Sequence, residues 1–79
     1  MIGFMDQTGG ELGPAARRLR QTELLSVELV AHSAGIPQQR LERIESGEVE
    51  GIRVREAMAL AAALGTDLPG LLREAGLQP

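Results

Sequence analysis

The sequence predicts an all-α protein, a compact bundle of about five short helices. Three observations carry that expectation. Apolar residues recur at three- and four-residue spacing in separate short stretches, as on one face of a helix. Glycines at Gly35, Gly47 and Gly65 stand where those stretches end. Phe4 is the only aromatic residue, so the core must be built from Leu, Ile, Val, Ala and Met, small side chains that suit closely packed helices.

The chain has 79 residues, enough for one compact domain. Its organisation reads as an N-terminal tail over residues 1–11, a helical domain over residues 12–75 and a C-terminal tail over residues 76–79. The first segment has Gly3, Gly9 and Gly10 and no helical period, although Ile2, Phe4 and Met5 can dock on the domain. The first helix is expected over about Pro14 to Thr22. Proline suits a first turn, where its missing N–H costs nothing, and Leu12, Ala16 and Leu19 then form an apolar stripe. Ser26 is a good N-cap for a second helix over Val27 to Ala34, with Val27, Val30, Ala31 and Ala34 as its inner face. Gly35 suits the left-handed turn that ends it. Ile36 plugs the corner, and a third helix runs from about Pro37 to Glu45 with Leu41 and Ile44 inward. A loop, Gly47 to Gly51, leads to a fourth helix carrying Val54, Met58, Ala61, Ala62 and Leu64. Asp67 caps a last short helix with Pro69 in its first turn. The expected core is Leu19, Leu29 or Val30, Ala34, Ile36, Leu41, Ile44, Met58 and Leu64.

Composition narrows the function classes. There is no cysteine, which excludes disulfides and thiolate zinc sites, and the single histidine, His32, cannot form a metal cluster alone. No metal or cofactor is expected. No apolar run reaches membrane-spanning length, so a soluble, cytoplasmic protein is expected. The net charge of −3 argues against a polyanionic partner, but placement matters more than the total. All eight basic residues are arginine, and most fall in three groups: Arg17, Arg18 and Arg20; Arg40 and Arg43; Arg53 and Arg55. Arginine favours planar, multi-donor contacts. An enzyme is not expected: His32 has no nucleophile arrangement beside it, and phosphate loops and metal-ligand clusters are absent from the sequence.

Two short helices joined by a glycine-containing turn, as in Ala31 to Gly47, have the form of a helix-turn-helix, whose second helix enters the DNA major groove. The chain also resembles the phage-repressor family of helix-turn-helix domains, the Cro/C1-type or XRE-like family, over about Leu12 to Leu72. The resemblance rests on the Leu-Gly opening and Arg-rich first helix (LGPAARRLR), on Leu25-Ser26, and on Ala31, Ala34, Gly35 and Ile36. It continues through Ile44-Glu45-Ser46-Gly47 and through Leu60-Ala61-Ala62-Ala63-Leu64-Gly65. It implies a lambda-repressor-like fold and sequence-specific binding of double-stranded DNA as a repressor-like transcriptional regulator, acting as a homodimer on an inverted repeat. The positions that meet base edges in the family match Gln38, Gln39 and Arg43. Glutamine can pair with adenine through both amide atoms, and arginine can donate twice to guanine. Arg40 and Arg17 match positions at or near the DNA backbone. Arg20 and Glu45 match a structural ion pair between the first and third helices. Leu68 to Leu77, with Leu71, Leu72 and Leu77, offers a surface for dimerisation or else closes the protomer's own core.

The chain departs from the family pattern at two places. Val27 stands where many members have a phosphate-contacting glutamine. The loop after the third helix carries Glu48 and Glu50 where a basic loop is usual, and is one residue longer than the common form. The alternative reading is therefore a protein-interaction module or antitoxin-like partner protein whose DNA binding is weak or lost.

Overall fold

A computed structural model of the chain describes residues 4–5, 9–49 and 51–77. Five helices are present among them: α1 (Gly9–Thr22), α2 (Val27–Ala34), α3 (Gln38–Glu45), α4 (Val54–Ala63) and α5 (Leu68–Glu74). A two-stranded antiparallel ladder joins β1 (Phe4–Met5) to β2 (Ile52–Arg53), with Phe4 opposite Arg53 and Met5 opposite Ile52. The core lies where α1 packs on α3, α2 on α4, and α5 on both α1 and α4. Leu12, Ala15, Ala16, Val30, Ala31, Ile36, Leu41, Ile44, Ile52, Ala57, Leu60, Ala61, Leu64 and Leu71 fill it.

The α2–turn–α3 unit follows its local signals closely. Ser26 is extended, and its Oγ accepts the Leu29 N–H at 3.0 Å. Gly35 ends α2 at φ +68°, and the Ile36 N–H then returns to the Ala31 carbonyl at 3.0 Å. Glycine adopts this left-handed conformation without the Cβ penalty of other residues. Pro37 takes an extended N-cap conformation, so α3 starts one residue after it.

Helix α1 starts at Gly9, well ahead of Pro14, which sits inside it. The early turns are held by packing: Leu12, Ala15 and Ala16 are fully buried. Tertiary burial here overrides the proline signal for a helix start. The β1–β2 ladder also lies outside the expected all-helical pattern, since strands of two residues carry no readable alternation. Ile2, and the side chains of Phe4 and Met5, lie outside the described residues.

The expected core needs one correction, at Met58, and the choice between Leu29 and Val30 is resolved. Met58 is 55% exposed, because the buried stripe of α4 is Ala57, Leu60, Ala61 and Leu64. Apolar residues occupy nearly every face of this helix, so the sequence allows more than one stripe. On α2 the inward residue is Val30, and Leu29 is 50% exposed. Helix α5 is capped by Asp67, whose Oδ1 accepts the Gly70 N–H at 2.8 Å. Leu71 is fully buried, with Leu68 and Leu72 packed partly against the same core. This segment therefore spends much of its apolar surface within the protomer.

One residue between α1 and α2 is strained. Leu24 has φ +59° and is 91% exposed. A left-handed conformation costs an L-residue roughly 1–2 kcal/mol, and glycine's extra unfolded-state freedom offsets part of that. Leu24→Gly should raise stability by about 0.5–1 kcal/mol, read as a higher urea midpoint with an unchanged slope.

Candidate nucleic-acid interface

Helix α3 is amphipathic in the strict sense. Leu41 and Ile44 are fully buried, while Gln38, Gln39, Glu42 and Arg43 face solvent. The two glutamines stand at its amino end, with Arg43 one turn further along. The structure thus brings all three expected base-reading residues to the exposed side of one helix. Gln38 Nε2 donates to Glu42 Oε2 at 3.2 Å, an i,i+4 contact that ties the Gln38 amide to its own helix.

Two bidentate arginine–carboxylate pairs hold the buried side of α3. Near its end, Arg20 of α1 donates from Nε to Glu45 Oε2 at 2.8 Å and from Nη2 to Glu45 Oε1 at 2.9 Å. The third nitrogen, Nη1, donates to the Leu25 carbonyl at 2.9 Å, so one guanidinium links α1, the α1–α2 turn and α3. Glu45 is only 6% exposed. Its hydrogen bond holds the Arg20 guanidinium above the ordinary arginine value, against the opposing effect of burial.

The second pair lies near the start of α3. Arg40, expected near DNA phosphates, gives its guanidinium to Glu56 of α4. Nε donates to Oε2 at 2.6 Å and Nη2 to Oε1 at 2.7 Å. Glu56 Oε1 also accepts the Arg53 N–H at 3.3 Å, so the same carboxylate caps the start of α4. Sequence reasoning missed Glu56. Its position three residues after Arg53 is a local helix-start signal, but nothing in the sequence aims it at Arg40.

The Arg40 hydrogen bond holds the Glu56 carboxyl below its ordinary range, outweighing burial, with the Arg53 N–H adding to the effect. A carboxyl with a depressed folded-state pKa contributes stability above its unfolded value of about 4.3 and loses it as the pH falls through the lower folded value. The parent protein should therefore lose stability on acidification below about pH 4.5 more steeply than Glu56→Gln. Thermal melts between neutral pH and pH 3 check this.

Arg17 is exposed and borders a shallow groove of about 260 Å³ that is also lined by Arg20, Val27, Glu42, Glu45 and Ser46. Arg17 and Val27, the first residue of α2, thus border the same groove. Arg18 instead ties α1 to α5, donating from Nη2 to the Glu74 carbonyl at 2.9 Å. After α3, the Glu48 carboxylate accepts from Ser46 Oγ at 2.7 Å and so turns back toward the helix end. Glu50 lies outside the described residues. His32 is exposed, and no group of three or more His, Cys, Asp or Glu that could hold a metal occurs among the described residues. Among them, too, no helix is long and apolar enough to cross a membrane.

A Ser-capped helix, a left-handed glycine turn and a second, amphipathic helix have the form of a helix-turn-helix. Residues 17–71 match the family model described as helix-turn-helix, and the chain belongs to that family. It is a sequence-specific DNA-binding transcriptional regulator. The fold is similar to the crystal structure of the clp gene regulator ClgR from C. glutamicum, with a TM-score of 0.80 and 22% sequence identity, covering 91% of this chain and 92% of that one. No curated protein matches the sequence.

Proposed function

We propose that this cytoplasmic regulator represses transcription as a homodimer on a short inverted repeat, with α3 of each protomer in the major groove. Gln38, Gln39 and Arg43 read base edges, and Arg17 lies against the backbone. The observation that carries this reading is the two-sided character of α3: Leu41 and Ile44 are fully buried, and the two glutamines and Arg43 are exposed on the other side. Two copies related by a two-fold axis would set their reading helices about one DNA turn apart. Arg40 is already engaged by Glu56, so the phosphate-facing role falls first to Arg17.

The test is selection from a random duplex pool, followed by binding at two salt concentrations. Ala substitutions at Gln38, Gln39 or Arg43 should each relax preference at particular base positions by roughly 1–3 kcal/mol of discrimination. Arg17→Ala should instead weaken binding evenly across sequences and flatten the salt dependence. Sedimentation with the selected duplex should show two chains per site. A pool without enrichment, with affinity indifferent to α3, would move the assignment to a protein-binding role. The observation that favours this rival is the acidic carboxylate of Glu48 in the turn after α3, where phosphate would be repelled.

A further inference from the structure

The two ion pairs on α3 have opposite polarity and sit at opposite ends. At its carboxyl end the helix supplies the acid, Glu45, to Arg20 of α1. At its amino end it supplies the base, Arg40, to Glu56 of α4. Between them the helix rests on Leu41 and Ile44. Apolar burial fixes how deep α3 sits but is non-directional, so by itself it tolerates roll about the helix axis. A bidentate arginine–carboxylate pair is directional and resists that roll. The Arg20–Glu45 pair restrains one end alone. The end that carries Gln38 and Gln39 is the one held by Glu56.

We propose that Glu56 is a positioning residue for DNA recognition: acting through Arg40, it fixes the roll of α3 and so sets base specificity without touching DNA. The proposal rests on the reading of α3 as the DNA-reading helix. Side-chain tips lie about 5–6 Å from a helix axis, so a roll of about 10° displaces them by about 1 Å. That displacement is comparable to the whole spread of distances over which a hydrogen bond is well made. Glu56 is suited to the task because it is itself fixed twice more, by its own place in α4 and by the Arg53 N–H. Its carboxylate thus links α3 to the start of α4 and to the end of β2.

The experiment compares the full chain, Glu56→Gln, Arg40→Met and the charge-swapped double variant Arg40→Glu with Glu56→Arg. Each is measured on the site enriched from a random pool, on that site with single base changes, and on unrelated duplex. Circular dichroism melts confirm that each variant is folded at the binding temperature. Glu56→Gln should lower affinity for the selected site about tenfold and leave affinity for unrelated duplex within about twofold. The loss should concentrate at the base positions that Gln38 and Gln39 govern. The swap should restore part of the specificity that either single change removes, an outcome that loss of a mere surface charge does not give.

Parallel strengthening on all DNA in Glu56→Gln would mean that Glu56 only occupies Arg40 and frees it for phosphate, which overturns the proposal. An unchanged ratio between selected and unrelated duplex overturns it as well. If the parent chain enriches no site at all, the reading of α3 as a DNA reader fails, and the positioning role fails with it. Enrichment by the parent with an indifferent Glu56→Gln sinks the positioning role alone.

Discussion

Gly13→Ala should remove a large fraction of the domain's stability. A Cβ at this position would stand 1.7 Å from the Ile44 carbonyl oxygen and 2.6 Å from its carbon. Those atoms are backbone in the last turn of α3 and cannot rotate aside as a side-chain tip would. Relief requires α1 to move off α3, opening the contact that buries Leu12, Ala16 and Ile44. Overpacking a well-filled core typically costs 1–3 kcal/mol, and an obstruction by backbone belongs at or above the top of that range, about 3 kcal/mol or more. Against the roughly 5–15 kcal/mol that holds a whole domain, this is a large fraction. The control is Gly10→Ala, on the same helix, where a Cβ meets nothing within 4 Å. That change should be neutral or stabilising by up to about 1 kcal/mol, through helix propensity. Urea unfolding of both variants reads the contrast directly, and equal midpoints would show that α1 and α3 are not held this closely.

The second large effect is expected at the buried pair. Glu45→Ala should cost about 3–5 kcal/mol, because it strands the Arg20 guanidinium in a site from which water is largely excluded. Arg20→Ala should cost a similar amount by stranding Glu45, and it also leaves the Leu25 carbonyl without its side-chain donor. The double variant Arg20→Met with Glu45→Leu should lose much less than either single change, since a pair of apolar side chains leaves no charge behind. Chemical denaturation of Arg20→Met, of Glu45→Leu and of their double variant gives the coupling energy. Additive losses would mean that the two side chains act independently despite their bidentate geometry.

The parts of this fold that were legible in the sequence are those whose determinants lie within a few residues of one another. Ser26, Gly35 and Gly47 each terminate or start a helix through a contact with its own end, so α2 and α3 could be bounded from the chain alone. The exposed set Gln38, Gln39 and Arg43 followed as the complement of Leu41 and Ile44. What escaped depends on partners distant in the chain. Pro14 lies inside α1 because Leu12 and Gly13 are packed against α3, a fact that no local rule contains. Met58 and Ala57 are neighbours on an almost wholly apolar helix, and only the placement of α2 and α5 decides which of them is covered. The resemblance puts Arg40 near the phosphates, but its pairing with Glu56, which belongs to another helix, is not written locally. An arginine's charge is written in the sequence, but the group that neutralises it is chosen by the tertiary packing.

The β1–β2 ladder gives the domain an order of assembly. Its helices dock through broad apolar faces that bury the core. The ladder instead joins Phe4 and Met5 to residues that follow α3, so its formation closes a loop containing three helices. The entropy of that closure is repaid by only a few backbone hydrogen bonds, unless the helices have already brought the ends together. Strand pairing is therefore the late event in folding and the early one in opening. β1 can unzip while Ile52 stays in the core, so the pairing of Phe4 and Met5 carries its own, smaller opening free energy.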